Sequence, residues 1–348
     1  MKTLRKILLG KKFSYPTPLG LQSKEHGFLW TLLLGFIVSM VVLPYPSIAM
    51  WVGFLFAGYA AIANDSIQTI GTFIASNHDK KWYWLWAFLA GIFVLTVSYS
   101  WFVYDGDVSH QRLASKGFET APTSFHYLQL IAPLLLLILT RLKMPVSTTF
   151  LLLSSFATTS GIGGALFKSI SGYLLAFVLG FGIFLLISKL TIKVLKDKPN
   201  KWWTPAQWVV SGLLWCVWLM QDAANIAVYQ PRSLNVWEFI TFTSVIVGGL
   251  GVLLWKRGGK IQEIVTEKSV TTDVRAATMI DLLYCIILFY FKMYSNVPMS
   301  TTWVFIGLLG GREIAMSFMK STKIPSVVLS KWLVRTFYTL VSDYSHRY

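Results

Sequence analysis

The stretch Ala63-Asn64-Asp65-Ser66-Ile67-Gln68-Thr69 decides how the rest of the chain is read. Met50 to Ile62, almost wholly apolar, precedes it, and Ile70 to Ser76, small and mostly apolar, follows. This is the composition of a membrane-spanning helix with an acid in its middle. An ionised Asp at bilayer depth costs about 3 kcal/mol on insertion scales. Asn64, Gln68 and Thr69 add polar groups that hydrocarbon cannot satisfy. Such a cluster faces a water-filled cavity or a bound ion, or else glues helices together. A second copy weakens the glue reading. Gln221-Asp222-Ala223-Ala224-Asn225 follows the apolar run Trp208 to Met220, so Asn-Asp-x-x-Gln in one half meets Gln-Asp-x-x-Asn in the other.

The composition agrees. The chain has 348 residues, 55% apolar and only 13% charged, which places it among membrane proteins. Its net charge of +16 comes from Lys and Arg that lie mainly between apolar runs. That is the positive-inside pattern plus attraction to anionic headgroups of the lipid bilayer. Basic motifs interleaved with aromatics are absent, so nucleic acid is not an expected partner. Cys216 and Cys285 both sit inside apolar runs, and the five His have no metal-ligand spacing. There is no Walker loop and no GxGxxG, which argues against ATP-driven transport by this chain alone. No enzyme activity and no cofactor are expected.

Four regions follow along the chain: a basic segment 1–26, a membrane half 27–188, a basic loop 189–205 and a second membrane half 206–348. Gly27 to Leu43 is longer than a signal-peptide core and lacks a clean cleavage site, so it is read as a retained helix. Met144-Pro145-Val146-Ser147-Thr148-Thr149-Phe150 precedes a tract rich in Ser, Thr and Gly, the composition of a broken or re-entrant helix. Val297-Pro298-Met299-Ser300-Thr301-Thr302-Trp303 repeats it. Asp65 and Asp222 are 157 positions apart, and Pro145 and Pro298 are 153 apart. Two unrelated motifs recurring at nearly one offset mark an internal repeat.

With the N-terminus inside, the basic clusters at Lys80, Arg141, Lys189 to Lys201, Lys256 to Lys260 and Lys320 to Lys331 fall inside, and the acidic loop Tyr104 to Ser124 falls outside. The Asp65 and Asp222 helices then run in opposite directions. The expected fold is therefore an all-α polytopic membrane protein, an inverted-repeat secondary transporter with about 10–12 membrane segments, some of them broken or re-entrant. Whether 325–348 spans the membrane or lies on it stays open. Glu238 and Asp281 start apolar runs and read as interfacial caps, and Lys292 reads as a snorkelling side chain. Lys143, Lys168, Lys292 and Arg312 are the cations near membrane segments that a buried Asp would need for an ion pair.

These motifs, in this order, resemble the inorganic phosphate transporter (PiT) family, which also includes sulfate permeases. The resemblance covers about Phe56 to Gly311. It implies a cation-coupled symporter in the cell membrane, with inorganic phosphate or a related oxyanion bound between the repeats. It implies a substrate site from Asn64, Gln68, Ser147, Thr148, Thr149, Gln221, Asn225, Ser300, Thr301 and Thr302, and sodium or proton sites at Asp65 and Asp222 with Asn64 and Asn225. The chain departs from the family pattern at Gln68 and Gln221, where Asn is usual, and at Phe150 and Trp303, where His commonly follows the Ser-Thr-Thr turn. Phosphate against sulfate, sodium against proton, and a homo-oligomer against a monomer therefore stay open. So does a non-transporting sensor on the same scaffold.

Overall fold

A computed structural model of the protein describes residues 26–114, 118–142, 146–157, 159–194, 199–256 and 274–320. Pro145, Lys143 and the segments 1–25 and 325–348 lie outside the described residues. Every regular element among the described residues is helical. The first half holds α1 (His26–Val42), α2 (Pro46–Ala61), a π-helical turn (Ile62–Ser66), α3 (Ile67–Ser76), α4 (Trp82–Val103), α5 (Tyr127–Arg141), the one-turn α6 (Thr148–Leu151), a 3-10 turn (Leu153–Ser155) and α7 (Thr159–Val194). The second half holds α8 (Trp203–Ala227), α9 (Val236–Trp255), α10 (Val274–Tyr294) and α11 (Thr301–Lys320).

The breaks are written locally. Pro46 opens α2 in the first turn, where its missing N–H costs nothing. Asn235 caps α9 by accepting from Trp237 N and Glu238 N, while Glu238 accepts from Asn235 N at 2.9 Å. That reciprocal box is the role expected of Glu238. Six helices among the described residues are long and apolar enough to cross a bilayer, and two more apolar helices are shorter, Gly27–Val42 and Tyr127–Arg141. The chain is an all-α polytopic membrane protein. Helix α7 is 36 residues, about 54 Å at 1.5 Å per residue. It therefore outruns a hydrocarbon core of about 30 Å and carries the chain through Lys189 and Lys193 as helix.

Packing repeats between the halves. Helix α2 packs on α5 in the first half, as α8 packs on α10 in the second. Many pairings cross between the halves, α7 on α11 the most extensive of them, with α4 lying on both α8 and α9. The α7–α11 seam is the closest. A Cβ on Gly307 would run into the carbonyl of Tyr173, and one on Gly311 into the carbonyl of Phe177. Small residues four apart that bring backbones together are a membrane packing device, because lipid supplies no hydrophobic drive between helices. Aromatic pairs join the halves: Phe54 stacks on Phe242, and Trp101 on Phe239.

Candidate functional site

The helix carrying the first acid changes pitch at the acid. Ile62–Ser66 is a π-helical turn, and it holds Asn64 and Asp65. Such turns insert one residue, free backbone groups and gather at functional sites. Asn64 and Asp65 are buried. The Asn64 amide donates to Asp65 Oδ1 at 2.5 Å and to the Val146 carbonyl at 2.9 Å, with the Thr148 hydroxyl at 3.4 Å. Thr140 donates to Asn64 Oδ1 at 3.3 Å. The Thr148 hydroxyl also reaches the Asp65 carboxylate. The first motif and the first Ser-Thr-Thr turn therefore touch, although 84 positions separate Asn64 from Thr148.

The second half repeats the contact. Thr301 donates to Asp222 Oδ2 at 2.6 Å, and Asn225 donates to Asp222 Oδ1 at 2.8 Å. Here the helix is regular: α8 runs through Gln221 and Asp222 unbroken. The two sites also interlock. Thr149, from the first turn, donates to the Met299 carbonyl of the second at 3.1 Å and reaches the Asp222 carboxylate. Asp65 and Asp222 lie within electrostatic reach of each other. Phe150 and Trp303, equivalent positions after the two turns, pack ring on ring with centroids 4.9 Å apart.

The sequence-chosen residues divide by role. Ser147 and Ser300 are N-caps, accepting from Phe150 N and Trp303 N at 3.3 Å each. Asn64, Asp65, Thr148, Thr149, Asp222, Asn225 and Thr301 form the polar cluster, and Thr302 is buried in the same turn. Gln221 donates to the Leu288 carbonyl at 2.9 Å. Gln68 lies on α3, and its side chain is outside the described residues. Two buried oxygens at the cluster, Gln221 Oε1 and Asn225 Oδ1, accept no hydrogen bond from the described residues. Carboxylate, amide and hydroxyl oxygens are the ligands that hard cations take. Among the described residues no group of three or more His, Cys, Asp or Glu is placed to hold a metal ion.

The cations near the membrane segments make other bonds. Lys168 donates to the Ser295 and Val297 carbonyls, and Arg312 pairs with Glu313 at 2.6 Å. Lys292, expected to snorkel, donates to the His110 carbonyl and to Asn296 Oδ1, both at 3.1 Å.

Two residues escaped the sequence reading. Asp281 is not an interfacial cap. It is buried inside α10, where its two carboxylate oxygens accept from Thr72 and Ser211. The reason is that α10 begins at Val274, five residues before the apolar run, so Asp281 sits two turns in. Tyr284, one turn on, donates to the Thr301 carbonyl at 2.9 Å and lies near Thr69, Asp65 and Asp222. A buried Asp and Tyr three apart on one face was the available signal, and the Asp281–Tyr284 pair has no counterpart in the first half to flag it.

No family model matches the chain, and no curated protein matches it by sequence. A solved structure described as "The sodium-dependent phosphate transporter" matches with a TM-score of 0.58 at 16% identity, covering 86% of this chain and 96% of that one. The two share a fold. At that identity the likeness speaks to architecture, and the pairing of two acid motifs with two Ser-Thr-Thr turns is this chain's own geometry.

Proposed function

We propose that the chain is a cation-coupled symporter of inorganic phosphate in the cell membrane, with its site between two inverted repeats. One observation carries this reading: Asp65 with Thr148 and Asp222 with Thr301 make the same contact in each half, and Thr149 joins them into one buried cluster. Hydroxyl and amide donors hold a tetrahedral oxyanion without the grip of a guanidinium fork, as a carrier that must release its substrate requires. Two carboxylates oppose that anion. At about 8 Å and an effective dielectric of 20, each repels it by about 2 kcal/mol. A sodium ion or proton on each Asp removes the repulsion, so cation and oxyanion enter together. The unpartnered oxygens of Gln221 and Asn225 beside Asp222 are suited to the cation. The structural neighbour is a sodium-dependent phosphate transporter, which supports sodium as the coupling ion and phosphate as the substrate.

The test is uptake of radiolabelled phosphate into proteoliposomes, with and without an inward sodium or proton gradient, competed by sulfate and arsenate. Accumulation driven by one gradient and blocked by arsenate supports the reading. Blocking by sulfate alone reassigns the substrate to sulfate on the same fold. Gradient-independent binding with no accumulation contradicts symport.

A further inference from the structure

Away from the acid pair, α7 and α10 leave a half-open groove of about 510 Å³, lined among others by Phe167, Lys168, Leu175, Tyr290 and Tyr294. No acidic side chain among the described residues lines it. Lys168 is 5% exposed, yet among the described residues its ammonium meets only the Ser295 and Val297 carbonyls, at 2.8 and 2.7 Å. An ammonium has three donors, so one remains for the groove. Arg112 donates to the same two carbonyls and adds a second positive charge behind the first. The groove's rim is apolar and uncovered: Phe167 is 75% exposed and Tyr294, the last residue of α10, is 74% exposed. Tyrosines at a helix end sit at headgroup level in a bilayer. Ser171 offers no further donor, because its hydroxyl hydrogen goes to the Phe167 carbonyl.

We infer that this groove binds an anionic phospholipid, its headgroup phosphate on Lys168 and its chains along Phe167 and Leu175. A free oxyanion finds one donor and several rings there, whereas a lipid matches both the charge and the apolar walls. The site is separate from the acid cluster, but Lys168 also holds the carbonyls of the segment leading into Ser300 and Thr301. Occupancy of the groove therefore bears on the turn that contacts Asp222.

Native mass spectrometry of the purified full chain, offered phosphatidylglycerol or phosphatidylcholine, tests the assignment. Wild type should retain phosphatidylglycerol in preference, and Lys168→Gln should lower that retention by about tenfold, the order expected for one buried charge-assisted bond. Lys168→Arg should keep most of it. Ser171→Glu, which leaves Lys168 in place but sets a like charge beside the headgroup, should also lower it, and decides the matter if Lys168→Gln fails to fold. Equal retention of the two lipids overturns the inference. So does unchanged phosphatidylglycerol in a monodisperse Lys168→Gln or Ser171→Glu protein. Displacement of the lipid by millimolar inorganic phosphate would overturn it as well, because the groove would then be a free-anion site.

Discussion

At the scale of single residues, the acid cluster is a network in which Thr149 and Thr301 donate to a carbonyl and a carboxylate. Tyr284 holds the backbone of Thr301, and Thr301 holds Asp222. Tyr284→Phe removes one hydroxyl and should cost about 1 kcal/mol; Thr301→Val removes a bond to a carboxylate and should cost about 2 kcal/mol. Because the two share a backbone unit, the double variant should deviate from additivity by at least about 0.5 kcal/mol. Thermal melts of the four proteins in one detergent read this directly, and additivity within about 0.3 kcal/mol would mean that they are independent. Asp65, Asp222 and the Thr of both turns were legible in the sequence because the repeat offset singles them out. Asp281 and Tyr284 were not, since the start of α10 is set by Val274 and not by the first apolar residue.

At the scale of elements, pitch and close approach position the site. The π-turn at Ile62–Ser66 turns Asn64 towards Val146 and Thr148, whereas α8 presents Asp222 from a regular helix. No periodicity in the sequence marks that difference, because both stretches are uniformly apolar before the acid. The α7–α11 seam, by contrast, is visible as Gly307 and Gly311, four apart. Gly311→Val should force those helices apart at a cost of about 1–3 kcal/mol and lower the melting temperature, while Gly163→Val, where a Cβ meets nothing within 4 Å, should not. Equal effects of the two would remove the seam from the account. The loop between α4 and α5 carries a pH signature. Burial, with Lys292 nearby, lowers the pKa of His110 from 6.5 to about 4. The unfolded chain therefore binds the proton first: the loop's stability is full above pH 6.5 and declines as pH falls towards 4. Protection of 104–114 against hydrogen exchange, taken relative to the intrinsic rate at each pH, should fall across that window in wild type and hold steady in His110→Gln.

At the scale of the whole molecule, the two halves make matching contacts from matching positions. Asp65 meets Thr148 as Asp222 meets Thr301, α2 meets α5 as α8 meets α10, and Phe150 meets Trp303 where the halves come together. The all-helical membrane class, the repeat and the acid cluster were readable from composition and motif offset. The cross-over of Thr149 to the other half's Asp was not, because a repeat gives equivalence and says nothing about which copies touch. The central claim is that Asp65 and Asp222 recruit the cation that admits the oxyanion. An amide keeps the shape of each side chain and removes the charge. The most direct measurement is therefore gradient-driven phosphate accumulation and equilibrium phosphate binding on the same purified Asp65→Asn and Asp222→Asn proteins. The account predicts folded proteins that still bind phosphate but no longer accumulate it; wild-type accumulation in both variants would contradict it.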